Sequence, residues 1–148
     1  MPQTFSCDIE TDGIEATIIW CVCVQDTYSQ ETTVFYKSEE FKEWLEDRSI
    51  CHTLVFHNGI AFDVPVLEEV WGIDFKDVFI HDTLLLSQLD NPRREGGHSL
   101  ASWGEYLGYP KGDHDDWTKL SDDMVAYCIQ DVKITSQLYR LLMQKGLS

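Results

Sequence analysis

The sequence predicts one α/β domain, residues 1–148, with a mixed β-sheet and helices on its faces. Three observations carry that expectation. Strand-like segments come first, and strand-like and helical ones then alternate, so an antiparallel meander feeds strand–helix units. The 148 residues lie near the commonest size of a single domain, and 43% hydrophobic and 12% aromatic residues suffice for one core. No linker, internal repeat or low-complexity stretch divides the chain.

Residues 4–9, 16–24 and 32–36 read as strands, each rich in β-branched and aromatic side chains. Asp12-Gly13 marks the turn between the first two. Residues 38–48 read as a helix, with Ser38 as cap and Phe41, Trp44 and Leu45 on its apolar side. Residues 53–56 form a short apolar strand. A helix covers about 63–71, where Asp63 suits a cap and Pro65 the first turn. Residues 77–80 form another short strand before a helix at 82–89. "DNPRREGG", residues 90–97, is the clearest loop. Residues 99–107 read as helical, "GYPKGDHDD" is a second loop, and a long helix over 121–144 ends before Gly146.

No apolar run reaches the length of a membrane span, and the N-terminus lacks the basic-then-apolar pattern of a signal peptide. A soluble intracellular domain is expected. The five cysteines (Cys7, Cys21, Cys23, Cys51, Cys128) are odd in number and sit mostly in apolar runs, so they read as reduced core residues. Cys21 and Cys23 share one face of a strand, but no His/Cys pair has zinc-like spacing, and core is the favoured reading. Eleven basic against 26 acidic residues give a net charge of −15. Such a chain does not cling to nucleic acid by charge alone.

Three placements of acids resist a purely structural account. Asp8 and Glu10 sit two apart in the first strand and project to one side. Two carboxylates so close repel unless a cation intervenes, and oxygen ligands suit Mg²⁺ or Mn²⁺. The competing reading is a solvated strand face. In "LVFHNGIAFDVPVL", Asp63 follows Phe62 at a helix start, where a cap alone would explain it. In the last helix, Tyr127, Asp131, Ile134 and Leu138 share a side, and Asp131 is the one acid in that stripe. A buried lone carboxylate is costly unless paired or metal-bound; the alternative is a solvated edge.

Taken in order, Asp-x-Glu, Asn-x3-Phe-Asp and Tyr-x3-Asp resemble the three exonuclease motifs of the DnaQ-like family, tyrosine subtype. The histidine subtype carries its histidine five residues before the last Asp, where this chain has Ala126. "FHNGIAFDVPVLEEVWG", "HDTLLLSQL" and "HSLASWGEYLGYPKGDHDDW" look like the proofreading domain of the single-chain DNA polymerases of T-odd bacteriophages. The resemblance covers nearly the whole chain. Two departures are the short connection at 90–97, where those polymerases carry a longer insert, and the lack of a polymerase domain after Ser148, which reads as a standalone domain.

The resemblance implies a ribonuclease H-like fold with a five-stranded mixed sheet flanked by helices. It implies two Mg²⁺ or Mn²⁺ ions about 4 Å apart, one activating water and one stabilising the leaving 3′ oxygen. Asp8 would bridge both ions, Glu10 and Asp131 would complete one site, and Asp63 would serve the other. Tyr127 would orient the attacking water, since a phenol is a poor general base at neutral pH. Thr11 would offer its backbone N–H to the terminal 3′-OH. Ile14 would wedge between the last two bases, and Asn58 and Phe62 would flank the terminal nucleotide. For Ile14 the competing reading is hairpin packing, and for Asn58 a turn residue.

The implied function is a metal-dependent 3′→5′ exonuclease acting on DNA 3′ ends, preferably single-stranded, and releasing nucleoside 5′-monophosphates. Its implied location is the cytoplasm, that of a bacterial host if the chain is phage-encoded. Two dications would cancel four acidic charges; the remainder suggests a weak grip on a few unstacked nucleotides. Arg93-Arg94, the only adjacent basic pair, would either touch phosphate or lie in a solvated loop. Two further readings stand beside this one: an acidic mimic of DNA that occupies a basic host partner, and a proofreading subunit of a separate polymerase.

Overall fold

The computed structural model describes residues 3–47, 50–51 and 53–146. Five strands form one mixed sheet: β1 (Thr4–Thr11), β2 (Ile19–Asp26), β3 (Thr32–Phe35), β4 (Thr53–Phe56) and β5 (Phe79–Asp82), in the order β3-β2-β1-β4-β5. The β1–β2 and β2–β3 pairs are antiparallel, and β4 and β5 join in parallel. The helices are α1 (Ser38–Glu46), α2 (Asp63–Trp71), α3 (Thr83–Asp90), α4 (Leu100–Leu107) and α5 (Asp122–Gln144). The predicted mixed α/β architecture is what the chain forms.

Strand alternation divides the interior. Phe5, Cys7 and Ile9 join Val22, Val24, Leu54 and Phe56 in the larger core, with Phe41 and Leu45 of α1 and Leu67 of α2. Each such side chain, fully buried, contributes about 1.5–3 kcal/mol. Ser6, Asp8 and Glu10 point the other way, toward α5. Ser6 Oγ donates to the Val132 carbonyl at 3.0 Å and meets Ser136 Oγ at 2.6 Å, which fastens α5 across β1. The helix is buried on several sides, with Cys128, Asp131, Val132, Thr135 and Leu138 all enclosed.

Several boundaries differ from the sequence reading, each for a local reason. β2 begins at Ile19, not residue 16, because the Asp12 carboxylate takes the N–H groups of Thr17 (2.9 Å) and Ile18 (3.0 Å) and curls 12–18 into a loop. Lys37, not Ser38, holds the cap position of α1, which ends at Glu46; the predicted end, Arg48, lies outside the described residues. β5 runs two residues later than expected, because its pairing with β4 matches Thr53 to Phe79 and Phe56 to Asp82. Asp82 therefore ends a strand and caps α3, accepting from Leu84 N at 3.0 Å.

Candidate active site

β4 pairs only with Thr4, Phe5 and Ser6 of β1. Beyond them the same edge of β1 is open, and the start of α2 fits against it. Phe62 holds the cap position, so Asp63 is the first helical residue. Its carboxylate turns inward and accepts from the Ile9 N–H. At Glu10/Thr11 the β1–β2 register slips, which bends the strand end that carries Glu10. Asp131 comes down from α5. Three of the four acids, Asp8, Asp63 and Asp131, line one cleft of about 240 Å³ at this corner together with Lys111 and His57, and Glu10 lies beside Asp8.

Asp8 is the centre of the group. A carboxylate oxygen of Asp8 lies within 4.8 Å of one of Glu10, and Asp8 lines the cleft together with Asp63 and Asp131. Burial, and then the charge of Asp131, push Asp8 well above the usual carboxylate range. Burial and the charge of Asp131 raise Glu10 to about 8. Burial raises Asp63 to about 7, against the pull of the Ile9 N–H. Asp131 is raised by burial, and Lys111 opposes the shift. Its Oδ1 is buried without a hydrogen-bond partner. Carboxylates that repel one another, with one orphaned oxygen, are a donor set for hard divalent cations. The residues present fit such ions.

Tyr127 lies one helical turn before Asp131, and the Lys111 ammonium bonds to both, to the hydroxyl at 2.5 Å and to Asp131 Oδ2 at 3.0 Å. The remaining residues singled out in the sequence are also at this end. Thr11 is buried, and its hydroxyl donates to the Gly13 carbonyl at 2.9 Å. Asn58 has a left-handed backbone, φ 66°, which Asn tolerates better than most residues. Its N–H and that of Ile60 donate to the Asp82 carboxylate at 2.9 and 3.2 Å. Gly59 leaves no room for a side chain: a Cβ there would fall 2.2 Å from that of Phe56.

The sequence pattern of the 3′-5′ exonuclease family matches residues 2–146. This chain belongs to that family. It is 26% identical over 183 aligned residues to the DNA-directed DNA polymerase of Escherichia phage T7, covering 92% of this chain but 26% of the polymerase. The chain thus spans about a quarter of that relative's length. Among solved structures, NrnC of Brucella melitensis with bound Mg²⁺ superposes with a TM-score of 0.72 at 24% identity, over 97% of this chain and 73% of that one. NrnC bound to pGG gives 0.74 at 23%, with the same coverage. RNase D of Trypanosoma brucei in complex with RNA U12 gives 0.66 at 18%, over 95% and 55%. These likenesses fix the fold as that of ribonuclease H-like exonucleases.

Beside the acids, this exonuclease has an apolar pocket of about 360 Å³, lined by Glu10, Thr11, Ile14, Phe62 and Trp117 among others. Ile14 stands at the hairpin tip and is 90% exposed, so packing within the hairpin does not account for it. Three residues here escaped the sequence reading. Lys111 is a lone base in an acidic loop, and no periodicity flagged it. Trp117, in the same region, meets Tyr127 edge-on at 5.7 Å and its carbonyl accepts from Trp20 Nε1. Asp82 read as a helix start rather than the anchor of the Asn58 turn. Arg94 is not free for phosphate: its guanidinium lies 3.7 Å over Trp103 and bonds to Ser102 Oγ at 2.8 Å. His57 at the cleft edge is pulled down to about 4 by burial, and stays neutral between the Thr83 hydroxyl (2.8 Å) and the His98 carbonyl (2.9 Å).

Proposed function

We propose that this exonuclease removes nucleotides singly from the 3′ end of DNA, preferably single-stranded, and releases nucleoside 5′-monophosphates. The observation that supports it is the convergence of Asp8, Asp63 and Asp131 on one cleft, with Glu10 beside Asp8. In this reading Asp8, Glu10, Asp63 and Asp131 would hold two Mg²⁺ or Mn²⁺ ions, with Asp8 serving both, Glu10 and Asp131 one and Asp63 the other. Such ions, when bound, lower the pKa of water and offset charge on the leaving 3′ oxygen.

The chain's own side chains supply the rest. Because the Tyr127 oxygen accepts from Lys111, its proton is free to hydrogen-bond outward and orient the attacking water. Lys111 keeps positive charge beside Asp131, where the scissile phosphate needs it. Ile14, Phe62 and Trp117 offer apolar and aromatic surface to the terminal bases. Asn58 borders the terminal nucleotide, and the Thr11 N–H meets its 3′-OH. Few basic residues track the backbone, so the strand leaves often and shortens by single steps.

A second reading, short RNA oligonucleotides, has specific support: two of the similar structures hold pGG and RNA U12. Purified protein is incubated with 5′-labelled DNA and RNA strands of one sequence, and with pGG, in Mn²⁺ or in EDTA. The expected result is a ladder of every intermediate length on DNA with Mn²⁺ and an intact strand in EDTA. A ladder on RNA or loss of pGG alone moves the substrate to the second reading. Cuts within a circular single strand refute exonuclease action. No turnover with any metal leaves the acidic mimic, and co-purification with a polymerase identifies a proofreading subunit.

A further inference from the structure

The structure brings together three cysteines that this chemistry does not use. Alternation along β2 puts Cys21 and Cys23 on the face that α5 covers, and Cys128 reaches them from that helix. Their sulfurs all lie within 4.8 Å of one another. All three are free and buried. Cys128 also belongs to the acids: its Sγ is 3.5 Å from the Asp8 carbonyl oxygen and 3.8 Å from Asp8 Oδ2. Asp8, Glu10 and Cys128 form a second group of ligand atoms within the same distance. The other two cysteines, Cys7 and Cys51, join no such group among the described residues.

Buried cysteines ordinarily fill space as small apolar residues, and Val132, Val125, Ile129 and Val34 do pack around these. Three sulfurs converging beside a carboxylate have a further capacity. Thiolates select softer ions than carboxylates do. With zinc–sulfur bonds of about 2.3 Å, a tetrahedral site sets its sulfurs about 3.8 Å apart, so these three need to close by about 1 Å at most. The structure also offers a route. Buried carboxylates attract cations, and Cys128 belongs both to the thiol group and to the group with Asp8 and Glu10.

We propose that Cys21, Cys23 and Cys128 bind a thiophilic divalent ion, Zn²⁺ or Cd²⁺, and that filling this site pulls the Cys128 sulfur away from Asp8, disturbs the acid cleft and stops hydrolysis. The three thiols release their protons to solvent as the ion binds, and nothing is oxidised or reduced. The inhibitory half rests on the function proposed above; the binding half does not.

The test titrates metal-free protein with Cd²⁺ and follows thiolate-to-cadmium charge-transfer absorption. In parallel, exonuclease activity in excess Mg²⁺ is followed as Cd²⁺ is added. The wild type is expected to bind one Cd²⁺ per chain with an absorption of three-thiolate strength and to lose most of its activity at that ratio. The double variant Cys21→Ala/Cys23→Ala, which leaves every proposed Mg²⁺ ligand in place, is expected to lose the absorption and resist inhibition. Should it not fold, Cys23→Ala alone is expected to weaken both effects. Absorption that survives in the variant at three-thiolate strength comes from other thiols and overturns the site. Inhibition that survives is competition at the carboxylates and overturns the switch. Stoichiometric three-thiolate absorption in a protein without hydrolysis supports the site and removes only the function proposed above.

Discussion

The Lys111 ammonium lies 3.0 Å from Asp131 Oδ2 and donates to the Tyr127 hydroxyl at 2.5 Å, so one cation joins two residues a helical turn apart. Burial alone would pull this lysine down, but the Asp131 charge and the Tyr127 hydrogen bond outweigh it, and its pKa stands above the ordinary lysine value. Lys111 is therefore charged at every working pH. It compensates one oxygen of Asp131, and the other is buried and unpartnered, which supports the ligand role proposed for it above.

Lys111→Met is expected to lower turnover roughly 100-fold, the lower end of the range for groups that position or move protons. KM should change little, because the lysine acts on Tyr127 and the phosphate rather than on the bases. Lys111→Arg should recover part of the loss. Steady-state kinetics of the three proteins settle it; full activity in Lys111→Met reduces the lysine to a counter-charge.

The metal-free protein should be less stable at pH 8.5 than at pH 5. Burial and neighbouring charge place Glu10 at about 8 and Asp63 at about 7 in the folded chain. Unfolded carboxyls titrate near ~4. From about pH 4 to pH 8 the folded state therefore holds protons that the unfolded state has lost, and stability falls as pH rises through that window. Even ~2 kcal/mol lost lowers Tm by roughly 6 °C in a chain of this size. Thermal melts in EDTA should show the decline, Mn²⁺ should reverse it at the alkaline end, and Asp8→Asn should flatten it. A Tm that climbs from pH 5 to pH 8.5 without metal would sink the account of the cleft.

Tyr127→Phe and Asp8→Ala should fail in different ways. The first removes a hydroxyl and leaves every carboxylate, so turnover should drop roughly 10- to 1000-fold with metal affinity nearly unchanged. The second removes the shared ligand and should abolish activity and weaken Mn²⁺ binding, while the metal-free fold stays as stable or gains slightly from relieved repulsion. Calorimetric Mn²⁺ titration beside the activity assay separates them. Unimpaired hydrolysis by Tyr127→Phe means that another residue positions the water.

Residues whose neighbours in sequence are also neighbours in space were legible. Asp8 and Glu10 share a strand face, and Tyr127 and Asp131 a helix face, so spacing placed each pair. The family resemblance singled out Asp63, whose sequence neighbourhood alone spoke for a cap. Phe62 took that position instead, because the open edge of β1 offered Asp63 the Ile9 N–H. What stayed hidden were contacts made by chain reversal. Lys111 returns from an irregular loop, and Cys128 meets Cys21 and Cys23 only once α5 lies on the sheet. The start of β2 was misplaced because a single side chain, Asp12, competes for the N–H groups of Thr17 and Ile18.

The Asp82 carboxylate is buried and accepts three backbone N–H groups, from Asn58, Ile60 and Leu84. It caps α3 and pins the turn in which Asn58 takes its left-handed conformation. In Asp82→Asn one oxygen becomes an amide donor, which leaves at least one of these N–H groups facing another donor. Hydrogen bonds to a charged acceptor are the stronger kind, and about 1–3 kcal/mol of stability should be lost. The effect on function should fall on binding. Asn58 and Phe62 lose their anchor, whereas Asp63 keeps its separate hold on the Ile9 N–H. KM is therefore expected to rise severalfold with a smaller change in kcat, and Mn²⁺ affinity should be retained. A variant whose Tm and KM both match the wild type would show that the turn holds its shape without Asp82.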